Sequence, residues 1–416
     1  MNARRWRIWA VLGLLSTVTA QQACTLNFDW DECNSEREGA DAQCAAFLGV
    51  DRATCTSDNI CRSNTVIVSE NIEQDVTWAR ENIYVLDDVI FVENDATVTI
   101  EAGTTILGND GSAFIITRGS KLRAQGEADL PIVFSSSRPV GERRSGDWGG
   151  VALLGRAPTN EVEPVLEGVL DEGRAMFGGG EREYSCGVLE YVRIEFAGFP
   201  LERDEELNGL TLGGCGSGTI LDHIQVHKGD DDGVEIFGGN VDLKHVVITG
   251  ADDDSLDWDR GWVGTIQFLV IQQDENGDHG IEADSWKDDE VSFPISAPYI
   301  ANMTLVAARD AGAPKSILMR EGTAGVIVNS IFLGHNVYAV DIDDQVTVDN
   351  ITAGTLRIEH SMFFDIGPNG NNYFPTPEAE DLGMGTDNDA GFDEDTHFRD
   401  PVFENVFGID PVLRDP

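Results

Sequence analysis

The chain has 416 residues, 41% of them hydrophobic, with 74 Asp and Glu against 28 Lys and Arg and a formal net charge of −46. That length fits one large solenoid or two to three ordinary domains, and the apolar content supports a sizeable core. The acidic excess excludes nucleic acid as a partner, since phosphate binding needs clustered Lys and Arg; it disfavours anionic membranes and favours cations. Adaptation to salty water accounts equally well for the bulk charge, though not for the spacing of the acidic motifs described below.

Residues 1–20 read as a secretory signal. Arg4, Arg5 and Arg7 precede an apolar stretch, and Val18-Thr19-Ala20 fits the small-residue cleavage rule. That stretch is too short to span a bilayer and no later one is long enough, so no transmembrane segment is expected and the chain is read as exported. Residues 21–63 carry five of the seven cysteines, Cys24, Cys33, Cys44, Cys55 and Cys61, and read as a small N-terminal cap or appendage. Their spacing lacks the paired CxxC of a zinc site, so in an exported chain the cysteines read as disulfides; the total of seven is odd, so one thiol remains or pairs with another chain. Cys186 and Cys215 lie about one repeat apart, a separation that permits a bridge between neighbouring coils.

From residue 64 to residue 365 the pattern changes to short β-rich runs broken by Gly, Asn and Asp, such as Thr97-Val98-Thr99-Ile100 and Pro131-Ile132-Val133-Phe134. A phrase then recurs: Leu189-Glu190-Tyr191-Val192, Leu221-Asp222-His223-Ile224 and Leu243-Lys244-His245-Val246. Variants begin at Ile266, Ile300, Ile327 and Ile358. Units of this period, each holding several short strands, predict an all-β fold, a right-handed parallel β-helix whose Val, Ile and Leu columns fill a narrow core. Insertions then map to loops, as at 161–183, 287–297 and 307–315. An immunoglobulin-like sandwich would need regular hairpin turns, which are not seen.

The stretch from Trp78 to Gly155, with Thr99-Ile100-Glu101-Ala102-Gly103-Thr104 and Gly146-Asp147-Trp148-Gly149-Gly150-Val151, resembles exported right-handed parallel β-helix proteins of Gram-negative bacteria. So does Asn208-Gly209-Leu210-Thr211-Leu212-Gly213-Gly214. The resemblance covers roughly residues 75–365. It implies the fold and an exported or surface location, and little about activity.

Three acidic phrases share one register: Asp231-Asp232-Gly233-Val234-Glu235, Asp253-Asp254-Ser255-Leu256-Asp257 and Asp278-His279-Gly280-Ile281-Glu282, offset by 22 and 25 residues. On stacked coils this forms a column of Glu235, Asp257 and Glu282 about 4.8 Å apart. Two bare carboxylates at that distance repel by roughly 3–4 kcal/mol at an effective dielectric of about 20, so the column needs a cation, a shared proton or an arginine. The candidate ligand set is Asp230, Asp231, Asp232, Glu235, Asp252, Asp253, Asp254, Asp257, Asp259, Asp278, Glu282 and Asp284. Hard oxygen ligands favour Ca2+. Ordinary solvated turn residues and a catalytic groove are the alternatives. Strand alternation predicts that Glu235, Asp257 and Glu282 face outward, on a solvated face or groove.

His223, His245 and His360 share one repeat position with Asn302 and Asn329, which predicts a polar ladder at a coil corner. Asp253-Asp254 and Asp278-His279-Gly280 superficially resemble the paired aspartates and Gly-His-Gly of polygalacturonases, but position 278 is Asp and the basic Arg-x-Lys element is missing. Arg320 is the nearest basic candidate. Trp148 and Trp258 read as inward packing, Trp262 and Trp286 as candidates for a ligand face. Residues 366–416 read as an acidic C-terminal cover and tail. Together these features predict a secreted or cell-surface binding or structural β-helix using Ca2+, with a polysaccharide or cell-surface component as partner. The alternative is a polysaccharide lyase or glycoside hydrolase in a carboxylate-lined groove.

Overall fold

In the computed structural model, each repeating phrase forms a strand that pairs in parallel with the same phrase one coil on. Leu221 pairs with Leu243, Leu243 with Ile266, Ile266 with Ile300 and Ile300 with Ile327. The described residues are 64–413 except 170, 171, 203, 204, 308–313, 376–388 and 390, plus 33, 35, 37, 39–41, 43, 44, 54–56, 61 and 62. The signal-like segment 1–20 and Cys24 lie outside them. Among the described residues the strands form a 17-stranded sheet, a nine-stranded sheet and two small two-stranded sheets. This is the right-handed parallel β-helix that the repeat spacing predicts.

The strands of the larger sheet bend at Tyr191, His223, His245, Phe268, Asn302, Asn329 and His360, each with φ between 49° and 64°. A left-handed residue at each bend moves the inward positions from two residues apart to three. Leu221 and Ile224 are therefore both buried, as are Leu243 and Val246. Asn and His are among the residues that tolerate this backbone region best, which explains their recurrence there. The histidines and asparagines thus form a corner ladder, and Asn329 donates its side-chain amide to Asn302 Oδ1.

The nine-stranded sheet positions the acidic phrases. Its strands include Leu210–Gly213, Val234–Phe237, Leu256–Asp259, His279–Ala283, Lys315–Met319 and Val340–Ile342. Leu210, Val234, Leu256, Ile281, Ile317 and Val340 pair in register along the inner face and are all buried. Each such side chain contributes about 1.5–3 kcal/mol by leaving water, so the core fixes the register strongly. Gly233 sits where the two sheets meet: a Cβ there would lie 2.4 Å from Ile248 Cγ2 and 2.6 Å from Ser255 O. That close approach accounts for the glycine inside Asp232-Gly233-Val234-Glu235.

The outer face of this sheet departs from expectation. Phe91, Ile115, Ala152, Leu154 and Phe237 point outward, yet all are buried in a second apolar cluster. Leu166, Val169, Ala175 and Phe177, from the 161–183 insertion, cover them together with Leu207. The insertion is a lid of packed side chains on the sheet, and outward does not mean solvated there.

Trp148 and Trp258 are buried in the core, as alternation predicts. Trp262 corrects its expected place on a ligand face. It is fully buried, 5.9 Å between ring centroids from Trp258, and its Nε1 donates to Val241 O at 3.1 Å. Among the described residues three disulfides are present: Cys33–Cys55, Cys44–Cys61 and Cys186–Cys215. At the far end, Val406–Phe407 pairs with Met362–Phe364, and Phe407 stacks on Phe363 at 4.9 Å. Among the described residues no helix is long and apolar enough to cross a membrane.

Candidate functional site

The carboxylate column forms in the register read from the sequence: Glu235 pairs with Asp257 and Asp257 with Glu282. The column continues the outer face of the nine-stranded sheet, in the order Phe91, Ile115, Ala152, Thr211, Glu235, Asp257, Glu282, Leu318 and Asp341. Its first members are apolar and lie under the insertion. The acids follow further along the same face. Asp259 and Asp284 form a parallel row beside it, and Asp232, Asp254 and His279 a second row on the turn side.

The expected solvated face is instead a sunken shelf. Asp232, Glu235, Asp254, Asp284 and His279 are buried, while Asp257, Asp259, Glu282 and Arg320 are half-buried. The remaining candidates, Asp230, Asp231, Asp252, Asp253 and Asp278, sit on the rim, where Asp230 and Asp253 are exposed. Asp278 pairs with Lys315 at 2.6 Å, and Asn276 donates to Asp252 at 3.0 Å. One depression elsewhere, about 450 Å3 in volume, is lined by Ser69, Asn71, Asp88, Phe91 and Arg174 near the first coils. It carries none of the acidic phrases.

Partners are distributed unevenly along the shelf. Asn208 donates its side-chain amide to Glu235. Arg320 pairs with Glu282 and, through Nε, with Asp284 at 3.1 Å. Asp232 accepts the backbone N–H of Asp254 at 3.0 Å. Asp254 accepts the backbone N–H of His279 at 2.5 Å and faces its Nδ1 at 3.1 Å. His279 Nε2 meets the Tyr338 hydroxyl at 3.3 Å. Asp254 and Glu282 bring carboxylate oxygens within 4.8 Å of each other, a pair that is eased when one of them holds a proton. Asp257, in the middle, has a buried Oδ1 with no hydrogen-bond partner.

Burial dominates the protonation of the shelf. It pushes Asp254 and Glu282 up to about 7, and neighbouring carboxylates add to the effect. It raises Asp259 to about 6. Asp232, Glu235, Asp257 and Asp284 stand well above the ordinary carboxylate range, by burial first and like charge second. Burial lowers His279, which favours the neutral ring. Burial alone would lower Arg320, but Asp284 and Glu282 hold it above its usual value. Without a cation, the column therefore answers its own repulsion with protons and one arginine.

Asp232, Glu235 and Asp257 bring ligand oxygens within 4.8 Å of one another, as do the ligand atoms of Asp254, His279 and Glu282. The first group is all oxygen and includes Asp257, the residue with the orphaned Oδ1, a set that suits a hard cation. Sequence reasoning missed Asn208, Tyr338 and Glu321, the last raised to about 7 mainly by burial. Asn208 stands one coil before Asp232 in the same register, so the repeat alignment carried a signal for it. No comparable signal marks Tyr338.

Fold and site together define a parallel β-helix with an acidic shelf on one sheet. The chain belongs to the family of pectate-lyase-like β-helix domains, whose family model matches residues 70–397. No curated protein and no solved structure matches the chain significantly.

Proposed function

We propose that this is an exported β-helix that binds Ca2+ on its acidic shelf and uses the cation, with Arg320, to hold a polysaccharide. One observation carries it: Asp257, whose Oδ1 is buried without a hydrogen-bond partner, belongs to a group of three carboxylates that bring one oxygen each within 4.8 Å of the others. A buried unpaired carboxylate oxygen costs several kcal/mol unless something answers it, and Ca2+ accepts six to eight oxygens at flexible geometry. Asp232, Glu235 and Asp257 would hold the ion, which would supply positive charge to the shelf. Membership of the pectate-lyase-like β-helix family supports a polysaccharide-related role. A chain of net charge −46 repels a polyuronate, so an acidic polymer needs a bridging cation or Arg320 to approach. Three disulfides suit an oxidising compartment such as the periplasm or the extracellular space.

A second reading, polysaccharide lyase or glycoside hydrolase, is favoured by the Asp254–Glu282 pair. Carboxyls held at about 7 are poised for proton transfer near neutral pH, and Arg320 lies against one of them. The two are separated by incubating the protein and Ca2+ with polyuronates and neutral polysaccharides. Retention of the polymer without release of products supports binding. Product release that Glu282→Gln abolishes supports catalysis. Neither retention nor release on any polymer removes the polysaccharide role.

A further inference from the structure

A second cluster lies on the corner ladder, away from the acidic shelf. Asp222 Oδ1 is 2.8 Å from His223 Nδ1 and 2.7 Å from His245 Nδ1, so two imidazoles on consecutive coils converge on one carboxylate oxygen. The three ligand atoms lie within 4.8 Å of one another. Both rings are fixed. Each histidine occupies the left-handed bend, with φ of 58° and 52°, and the rings stack at 4.3 Å between centroids. Tyr191 closes one side of the stack at 4.2 Å and Phe268 the other at 5.0 Å. Lys244, the register partner of Asp222, leans over Phe268, 5.9 Å from the ring centroid. All three ligands are about one-third exposed, leaving water room to complete a coordination shell.

We propose that Asp222, His223 and His245 form a site for a divalent transition ion of the Zn2+ class, distinct from the Ca2+ shelf. Two imidazoles and one carboxylate suit Zn2+, Ni2+ or Cu2+, whereas Ca2+ prefers oxygen alone. Ligands about 2.0–2.1 Å from a tetrahedral ion stand roughly 3.3 Å apart, so each nitrogen retreats from Asp222 by about 0.5 Å when the ion enters. Side chains about one-third exposed make that shift by small χ rotations. At Asn302 and Asn329 the same backbone position carries Asn, so the bend itself does not require histidine.

That equivalence supplies the test. Tag-free full-length protein is titrated with Zn2+ in excess Ca2+, beside His223→Asn, His245→Asn and, at a bend outside the cluster, His360→Asn; Asn keeps the bend and removes the imidazole. The expected result is one Zn2+ per wild-type chain and unchanged affinity in His360→Asn. Losing a direct ligand costs at least as much as losing an outer partner, so each His→Asn variant should bind about 10–100-fold more weakly. Cu2+ electron paramagnetic resonance should show nitrogen couplings from two rings in wild type and from one in each single variant. The site is overturned if wild type binds no Zn2+, or if His223→Asn and His245→Asn, folded by circular dichroism, bind it as tightly as wild type.

Discussion

Asp257→Asn isolates the electrostatics of the column. Asp257 pairs in register with Glu235 on one side and Glu282 on the other, at the strand spacing of about 4.8 Å. Each neighbour contributes about 3–4 kcal/mol of repulsion when both groups are charged, at an effective dielectric of about 20. Arg320 offsets the Glu282 side. Roughly one repulsion of about 3 kcal/mol then remains, and the column avoids it by keeping a proton. Asparagine has the same shape, carries no charge, and offers an N–H2 to the neighbouring carboxylates. In chelator at pH 8 the variant should therefore be more stable than wild type by about 2–3 kcal/mol, since folded wild type must either retain a proton that the unfolded chain gives up at that pH or bear the repulsion. At pH 4, where Asp257 is protonated in wild type, the two should nearly coincide. Ca2+ should raise the melting temperature of wild type and leave the variant almost unmoved. Calorimetry at both pH values, with and without Ca2+, reads all three effects. A variant less stable than wild type in chelator at pH 8, or equally responsive to Ca2+, would refute the reasoning.

Other outcomes follow from the same geometry. Asp254 and Glu282 have folded values near 7, above the ordinary 3.8 and 4.5, so the folded state binds more protons than the unfolded one between those limits. Their contribution, roughly 3–4 kcal/mol for the pair taken as one titrating unit, is fully present below about pH 4 and lost as pH rises to about 7. Denaturant midpoints across that window, in chelator, measure it; stability that rises from pH 4 to 7 contradicts it. Arg320→Met strips the cation from Glu282 and Asp284, and because Arg320 is partly exposed the loss should be roughly 1–3 kcal/mol, below the cost for a fully buried pair. The loss should shrink at pH 4, where both acids are protonated. Replacing Cys186 and Cys215 by Ala opens a bridge of sequence separation 29 and should lower stability by about 3–4 kcal/mol on the chain-entropy model, read by urea unfolding.

The register of the site was legible because a β-helix converts sequence period directly into spatial pairing. Offsets of 22 and 25 residues place Glu235, Asp257 and Glu282 side by side. The inward turn of Trp258 followed from alternation. Solvation did not follow, because alternation tells which face a side chain takes and not what covers that face. A trace of the cover was present in Ala113-Phe114-Ile115-Ile116 and Val151-Ala152-Leu153-Leu154, apolar at every position, as expected of strands buried on both sides. Trp262 misled for the converse reason: nearby acids in sequence stand on the outer face while its own ring turns into the core. Arg320, 38 residues beyond Glu282, reached the shelf because it directly follows Lys315–Met319, the next strand in the stack, an adjacency the repeat pattern contained.

The most direct measurement is isothermal titration of the wild-type chain with Ca2+ at pH 8 and pH 5, each in two buffers of different ionisation enthalpy. Ca2+ bound by Asp232, Glu235 and Asp257 must displace the protons these acids hold. Binding should be clear at pH 8, much weaker at pH 5, and accompanied by proton release in the buffer comparison. Absence of Ca2+ binding at pH 8, or equal affinity at both pH values without proton release, would contradict the account of the shelf as a cation site.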